Sequence, residues 1–283
     1  MDNLLRKIRS LDRATRLSTL WGIVLAACVV LCVSPSLSLG VGYHVFADQR
    51  TLAGIPRTFD VLSNVLFLVV GAWGLLFLWD QRSQSSFLQQ RERLPYVCFF
   101  AGVMLTGIGS AYYHLQPGDP RLPWDLLPMT VSFMSLLAAT IVERISPRAG
   151  LALLPVLVLA GLASVVYWRF GELHGHGDYR FYLFTQYFPV VAIGSMVLLF
   201  PTRYSRALGL FLAFLFYAAA KLSELCDQQI FSLGRIVSGH TLKHLSAGVA
   251  CYCILRMLQV RRKSELPAVM AHTLAAASSK SIS

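Results

Sequence analysis

Residues 95–115 read PYVCFFAGVMLTGIGSAYYHL, a run without Asp, Glu, Lys or Arg that closes on Ser110 and His114 just before the loop QPGDP at 116–120. At 1.5 Å per residue, a helix of that length spans about 30 Å, the thickness of a bilayer's hydrocarbon core. Similar apolar runs recur along the chain. They place eight candidate spans at about 18–38, 59–79, 95–115, 125–143, 151–168, 183–200, 206–225 and 240–258. Of the 283 residues, 55% are hydrophobic and 14% charged, with a mean hydropathy of +0.58. Soluble domains carry about a quarter charged residues. The fold class is therefore an all-α, polytopic transmembrane helix bundle.

The formal net charge of +11 would suit a nucleic-acid partner, but its placement argues against one. The basic residues sit in short loops between apolar spans. With the N-terminus inside, sixteen fall on the cytoplasmic side, including Arg13, Arg82, Arg144, Arg203 and Arg261; six fall opposite, among them Arg50, Arg57 and Arg121. This positive-inside bias sets the expected topology, with both termini cytoplasmic. The stretch LWGIVLAACVVLCVSPSLS at 20–38, behind a basic N-terminus, also resembles a signal peptide. Its apolar run is long for that role, and an uncleaved anchor is expected. The six cysteines form no CxxC pair and read as small apolar residues.

Ionisable residues within spans point to function by default, because burying them in lipid is costly. His114 ends the third span, with Ser110 one turn deeper; Asp125 opens the fourth; His240 and His244 open the last. By the arginine count, all five lie on the side away from the cytoplasm. Positions i and i+4 share a helix face, so His240 and His244 present two imidazoles to one point, and Ser110 lies beneath His114. Three imidazoles with an open position make a catalytic zinc arrangement, in which a carboxylate such as Asp125 handles the water. An HxxxH pair alone also suits haem, or a helix end whose histidines bond nearby carbonyls. Lys221 and Glu224 are spaced to pair. Ser63 and Asn64 are placed to bond across helices. His174 and His176 read as solvated loop residues, and His44 carries no assignment.

Three blocks then carry a resemblance: 43–75, YHVFADQRTLAGIPRTFDVLSNVLFLVVGAWGL; 109–134, with GSAYYHLQP and RLPWDLLPMTVSFM; and 238–258, SGHTLKHLSAGVACYCILRML. Together they resemble the alkaline ceramidase family, part of a wider superfamily that includes adiponectin-type receptors. The resemblance implies a seven-helix core over 41–262, with Zn2+ held by His114, His240 and His244, and with Ser110 and Asp125 as catalytic residues facing the activated water. The implied reaction is hydrolysis of ceramide-like membrane lipids, N-acyl sphingoid bases, to fatty acid and free amine. The implied alternative is a receptor-like protein whose zinc is structural or slowly hydrolytic.

Residues 1–40 stand outside that core as a basic N-terminus and extra anchor helix, and 263–283 read as a disordered cytoplasmic tail. The zinc site is expected toward the periplasm or an organelle lumen. Animal members bind calcium through an acidic stretch before the core; here Asp48 is its main carboxylate and Arg57 replaces an acid, which speaks against calcium dependence.

Overall fold

The computed structural model describes residues 10–40, 42–205 and 208–263. Residues 1–9 of the basic N-terminus, and the tail from residue 264, lie outside the described residues. The described chain is helical, with no strand and only two isolated bridges, Leu52 to Ile55 and Tyr204 to Lys263. Its elements are α1 (Arg13–Val33), the short α2 (Thr58–Leu62), α3 (Val65–Trp79), α4 (Leu94–Leu115), α5 (Leu122–Arg144), α6 (Pro147–Leu173), α7 (Arg180–Leu199), α8 (Leu208–Leu225), the short α9 (Asp227–Ser232) and α10 (Gly239–Val260).

Among the described residues, seven helical segments are long and apolar enough to cross a membrane: α1, α2 with α3, α4 with the turn before it, α5, α6, α7 and α8. The chain is thus a multi-pass integral membrane protein. The eighth expected span, α10, has the length, at 22 residues, but is not among these seven. Its first two turns hold His240, Thr241, Lys243 and His244, which lower its hydropathy. It is also the helix that builds the site.

The second expected span is interrupted at Ser63 and Asn64, between α2 and α3. Both side chains donate back to the Asp60 carbonyl, at 3.1 and 2.7 Å, satisfying it where the helix is interrupted. The first helix begins and ends about five residues before its expected bounds. Asp12 caps it, accepting from the Thr15 N–H at 2.9 Å.

Helix α5 packs on α4, α6 and α7; α4 packs on α3, α3 on α10, and α10 on α8. The backbones of α7 and α8 stand apart, and side chains span the gap, with the Lys221 ammonium of α8 5.5 Å from the centre of the Tyr187 ring of α7. In lipid, helices gain little from hydrophobic association and rely on close backbone approach through small residues. Gly109 supplies one such approach: a Cβ there would sit 1.9 Å from the Trp124 carbonyl oxygen. Its absence brings Ser110 on α4 against Asp125 on α5. Helix α1 packs on α7 and buries none of its own residues.

The far end of the bundle is tied by ion pairs. Arg203 reaches Glu92 at 3.1 Å, and Arg261 pairs with Glu143, which also accepts from the Tyr96 hydroxyl at 2.8 Å. Tyr96 opens α4 and His114 ends it, so the length of this helix separates that basic end from the histidines.

Candidate metal centre

The buried positions of α4 run Tyr96, Phe99, Val103, Thr106, Ser110 and Tyr113–His114, a three-to-four-residue period that marks one helix face. Ser110 and His114 continue the core stripe, so their polar groups must find partners inside the protein. On α10 the same logic buries His240, Thr241 and His244. Ser238 caps this helix, its hydroxyl accepting from the Thr241 N–H at 3.0 Å. Gly239 lets the first turn rest on α8; a Cβ there would lie 2.2 Å from the Ser223 carbonyl oxygen.

The structure brings together all five residues singled out in the sequence. His114, His240 and His244 are 0%, 6% and 3% exposed, and one ring nitrogen from each lies within 4.8 Å of the others. The Nε2 atoms of His114 and His240 are 3.2 Å apart. The His244 Nδ1 lies 2.8 Å from the Ser63 hydroxyl and 3.4 Å from the Asn64 amide, which leaves Nε2 for the cluster. A metal-ligating histidine commonly has its second nitrogen held by such a partner. The His114 Nδ1 is buried with no hydrogen-bond partner. Phe46 packs edge-on against the His114 and His240 rings, at 4.7 and 4.4 Å between centroids, and covers one side of the cluster. Three converging, buried nitrogen donors fit a divalent cation that accepts imidazole.

Asp125 lies in the first turn of α5, where the helix dipole favours a carboxylate, and Ser110 is its side-chain neighbour across the α4–α5 interface. Ser110, Asp125 and His244 line a cavity of about 140 Å³ whose other walls are largely apolar, including Phe67, Phe99, Val103 and Phe133. The site therefore offers a cation centre and a carboxylate–hydroxyl pair at the polar end of an apolar chamber.

Several supporting residues were not singled out in the sequence. Asp60 is fully buried; its Oδ1 accepts from the hydroxyls of Thr241, at 2.7 Å, and Ser238, at 3.1 Å, joining α2 to the start of α10. Asp227 accepts from the backbone N–H groups of His240, at 2.8 Å, and Ala47, at 2.9 Å. Arg57 adopts a left-handed conformation, φ 46°, and donates to the carbonyls of His114, at 2.8 Å, and Leu115, at 3.2 Å. It caps the helix that carries His114. Lys243 joins the expected Lys221–Glu224 pair, reaching Glu224 at 2.6 Å.

Both Asp48 oxygens are taken by the Arg50 guanidinium, at 2.8 and 2.6 Å. Burial alone would raise this carboxyl's pKa; the Arg50 contacts outweigh it and hold the group below the usual range. His44 is engaged on both ring nitrogens, with Nδ1 2.8 Å from the Tyr113 hydroxyl and Nε2 2.8 Å from Asp119. His174 and His176 are exposed, and each contacts a backbone carbonyl through Nδ1. The described cysteines are unpaired.

The chain matches no protein-family model, no curated protein and no solved structure. Its functional reading rests on the residues of the site and on the resemblance in their spacing.

Proposed function

We propose that the protein is a zinc-dependent membrane amidase that hydrolyses N-acyl lipids, of which N-acyl sphingoid bases are the class the resemblance implies. The observation that carries this reading is the opening of the three-histidine cluster, through His244, into the same apolar cavity as the Ser110–Asp125 pair. Zn2+ bound by His114, His240 and His244 would supply a Lewis acid able to lower the pKa of water from 15.7 to about 7.

The chain's own groups do the rest. The Asp125 carboxylate accepts the proton lost by the attacking water and returns it to the leaving nitrogen, so that amide and water become carboxylic acid and amine. The Ser110 hydroxyl donates to that carboxylate and, once Asp125 has taken the water's proton, turns its single O–H to the charge on the carbonyl oxygen. Ser110 has no second base beside it, which argues against a nucleophilic role. The phenylalanines of the cavity accept the acyl chain.

The basic end of the bundle faces the cytoplasm in this reading, with both termini there and the metal centre toward the opposite side. The test is to purify the chain with zinc, count bound metal, and follow fatty-acid release from N-palmitoyl amides. Bound zinc without turnover would favour a structural, receptor-like metal site.

A further inference from the structure

One side of the cavity is polar in a way the amide chemistry does not use. Tyr217 and Lys221 lie one turn apart on α8, and both line the cavity, as do Gln186 of α7 and Lys243 of α10. The Lys221 ammonium is 2.5 Å from Glu224 Oε2, and the Lys243 ammonium 2.6 Å from Glu224 Oε1. Each carboxylate oxygen is thus occupied by one lysine, while each ammonium carries three donors. The cluster has two cations for one anion. Asp125, the carboxylate that lines the cavity, stands beside Ser110 at its metal end and brings one negative charge to the chamber. In the same chamber the Tyr217 hydroxyl is buried with no partner in bonding geometry, although the Gln186 side chain is its neighbour. Spare ammonium donors on a cluster that by itself carries one positive charge, beside an orphan hydroxyl, present an anionic oxygen ligand with donors on one wall of an apolar cavity.

We propose that Lys221, Glu224 and Lys243, with the Tyr217 hydroxyl, form a subsite for the anionic group of a lipid, so that the preferred amide carries a carboxylate or phosphate beside the bond that is cut. This rests on reading the cavity as the acyl-lipid chamber of the proposed amidase. The acyl chain lies along the phenylalanine wall, and the acid group meets the two ammoniums. The same chemistry would also receive the carboxylate of a free fatty acid.

The test measures equilibrium binding of N-palmitoylglycine, N-palmitoylethanolamine and palmitic acid to the purified full chain, as isolated and after chelation. Wild type is expected to bind N-palmitoylglycine at least about tenfold tighter than the neutral amide, with or without metal, the scale of one charge-assisted hydrogen bond. Lys221→Met and Lys243→Met should each shrink that ratio. Glu224→Gln, which frees both ammoniums without removing a cation, should widen it. Palmitic acid binding as tightly as N-palmitoylglycine, with the same lysine dependence, identifies the subsite with the released acid. Equal binding of acidic and neutral amides, or a preference unchanged in both lysine variants, overturns the subsite. Cleavage of the neutral amide with no acid preference removes the subsite and leaves the amidase standing; lysine-dependent acid binding without cleavage does the reverse.

Discussion

The Ser63 hydroxyl lies 2.8 Å from the His244 Nδ1, although 181 positions separate the two residues. Ser63 sits where the second apolar span is interrupted, and that interruption turns a hydroxyl toward the last helix. The contact leaves His244 Nε2 to the cluster, with Asn64 and Asp60 packed behind it.

Ser63→Ala should keep the fold and weaken metal binding by about 10- to 100-fold, the usual effect of removing a group that orients a ligating histidine. Competition with a chelator of known affinity measures it. An unchanged metal affinity would mean that Asn64 alone fixes the ring.

Gly109→Ala should be among the most damaging small substitutions in the chain. The added methyl would meet the Trp124 carbonyl oxygen at 1.9 Å, and rigid backbone lies on both sides of the contact. Forcing α4 from α5 is expected to cost about 1–3 kcal/mol or more and to part Ser110 from Asp125. The expected readout is a lower thermal midpoint in detergent, with activity reduced further than the fraction folded explains.

The attachment of α1 should weaken in acid. Asp178 accepts from the Leu37 N–H at 3.3 Å and pairs with Arg180 at 2.6 Å, and Arg180 also donates to the Ser34 carbonyl. The Arg180 hydrogen bonds hold the Asp178 carboxyl below the usual carboxylate range, against a smaller opposing effect of burial. A depressed folded-state pKa means that the pair's contribution is complete above the unfolded value of about 4 and is lost as pH falls through the folded value. Protease cleavage between α1 and α2 should therefore accelerate below about pH 4 in wild type. Asp178→Asn should be cleaved readily at neutral pH and respond less to acid.

The helices and the five site residues were legible because their signals are local. A 21-residue apolar run or an i, i+4 histidine pair can be read along one segment, and the arginine pattern placed the polar residues on one side. Asp60, Ser238, Thr241 and Lys243 were not, because their roles arise where α2, α8 and α10 meet. Arg57 was noticed only as a missing acid, whereas its left-handed backbone and its two bonds to the end of α4 appear only in three dimensions. The break at Ser63 was hidden inside an apolar run whose composition reads as one helix.

The most direct measurement of the proposed chemistry is palmitate release from neutral and acidic N-palmitoyl amides by wild type and Asp125→Asn, compared at equal bound zinc. Wild type should turn over, and the variant should retain its metal and fall by at least about 100-fold, the lower end of what a proton-transferring carboxylate contributes. No release by the zinc-loaded wild type, or equal release by Asp125→Asn, would contradict the assignment.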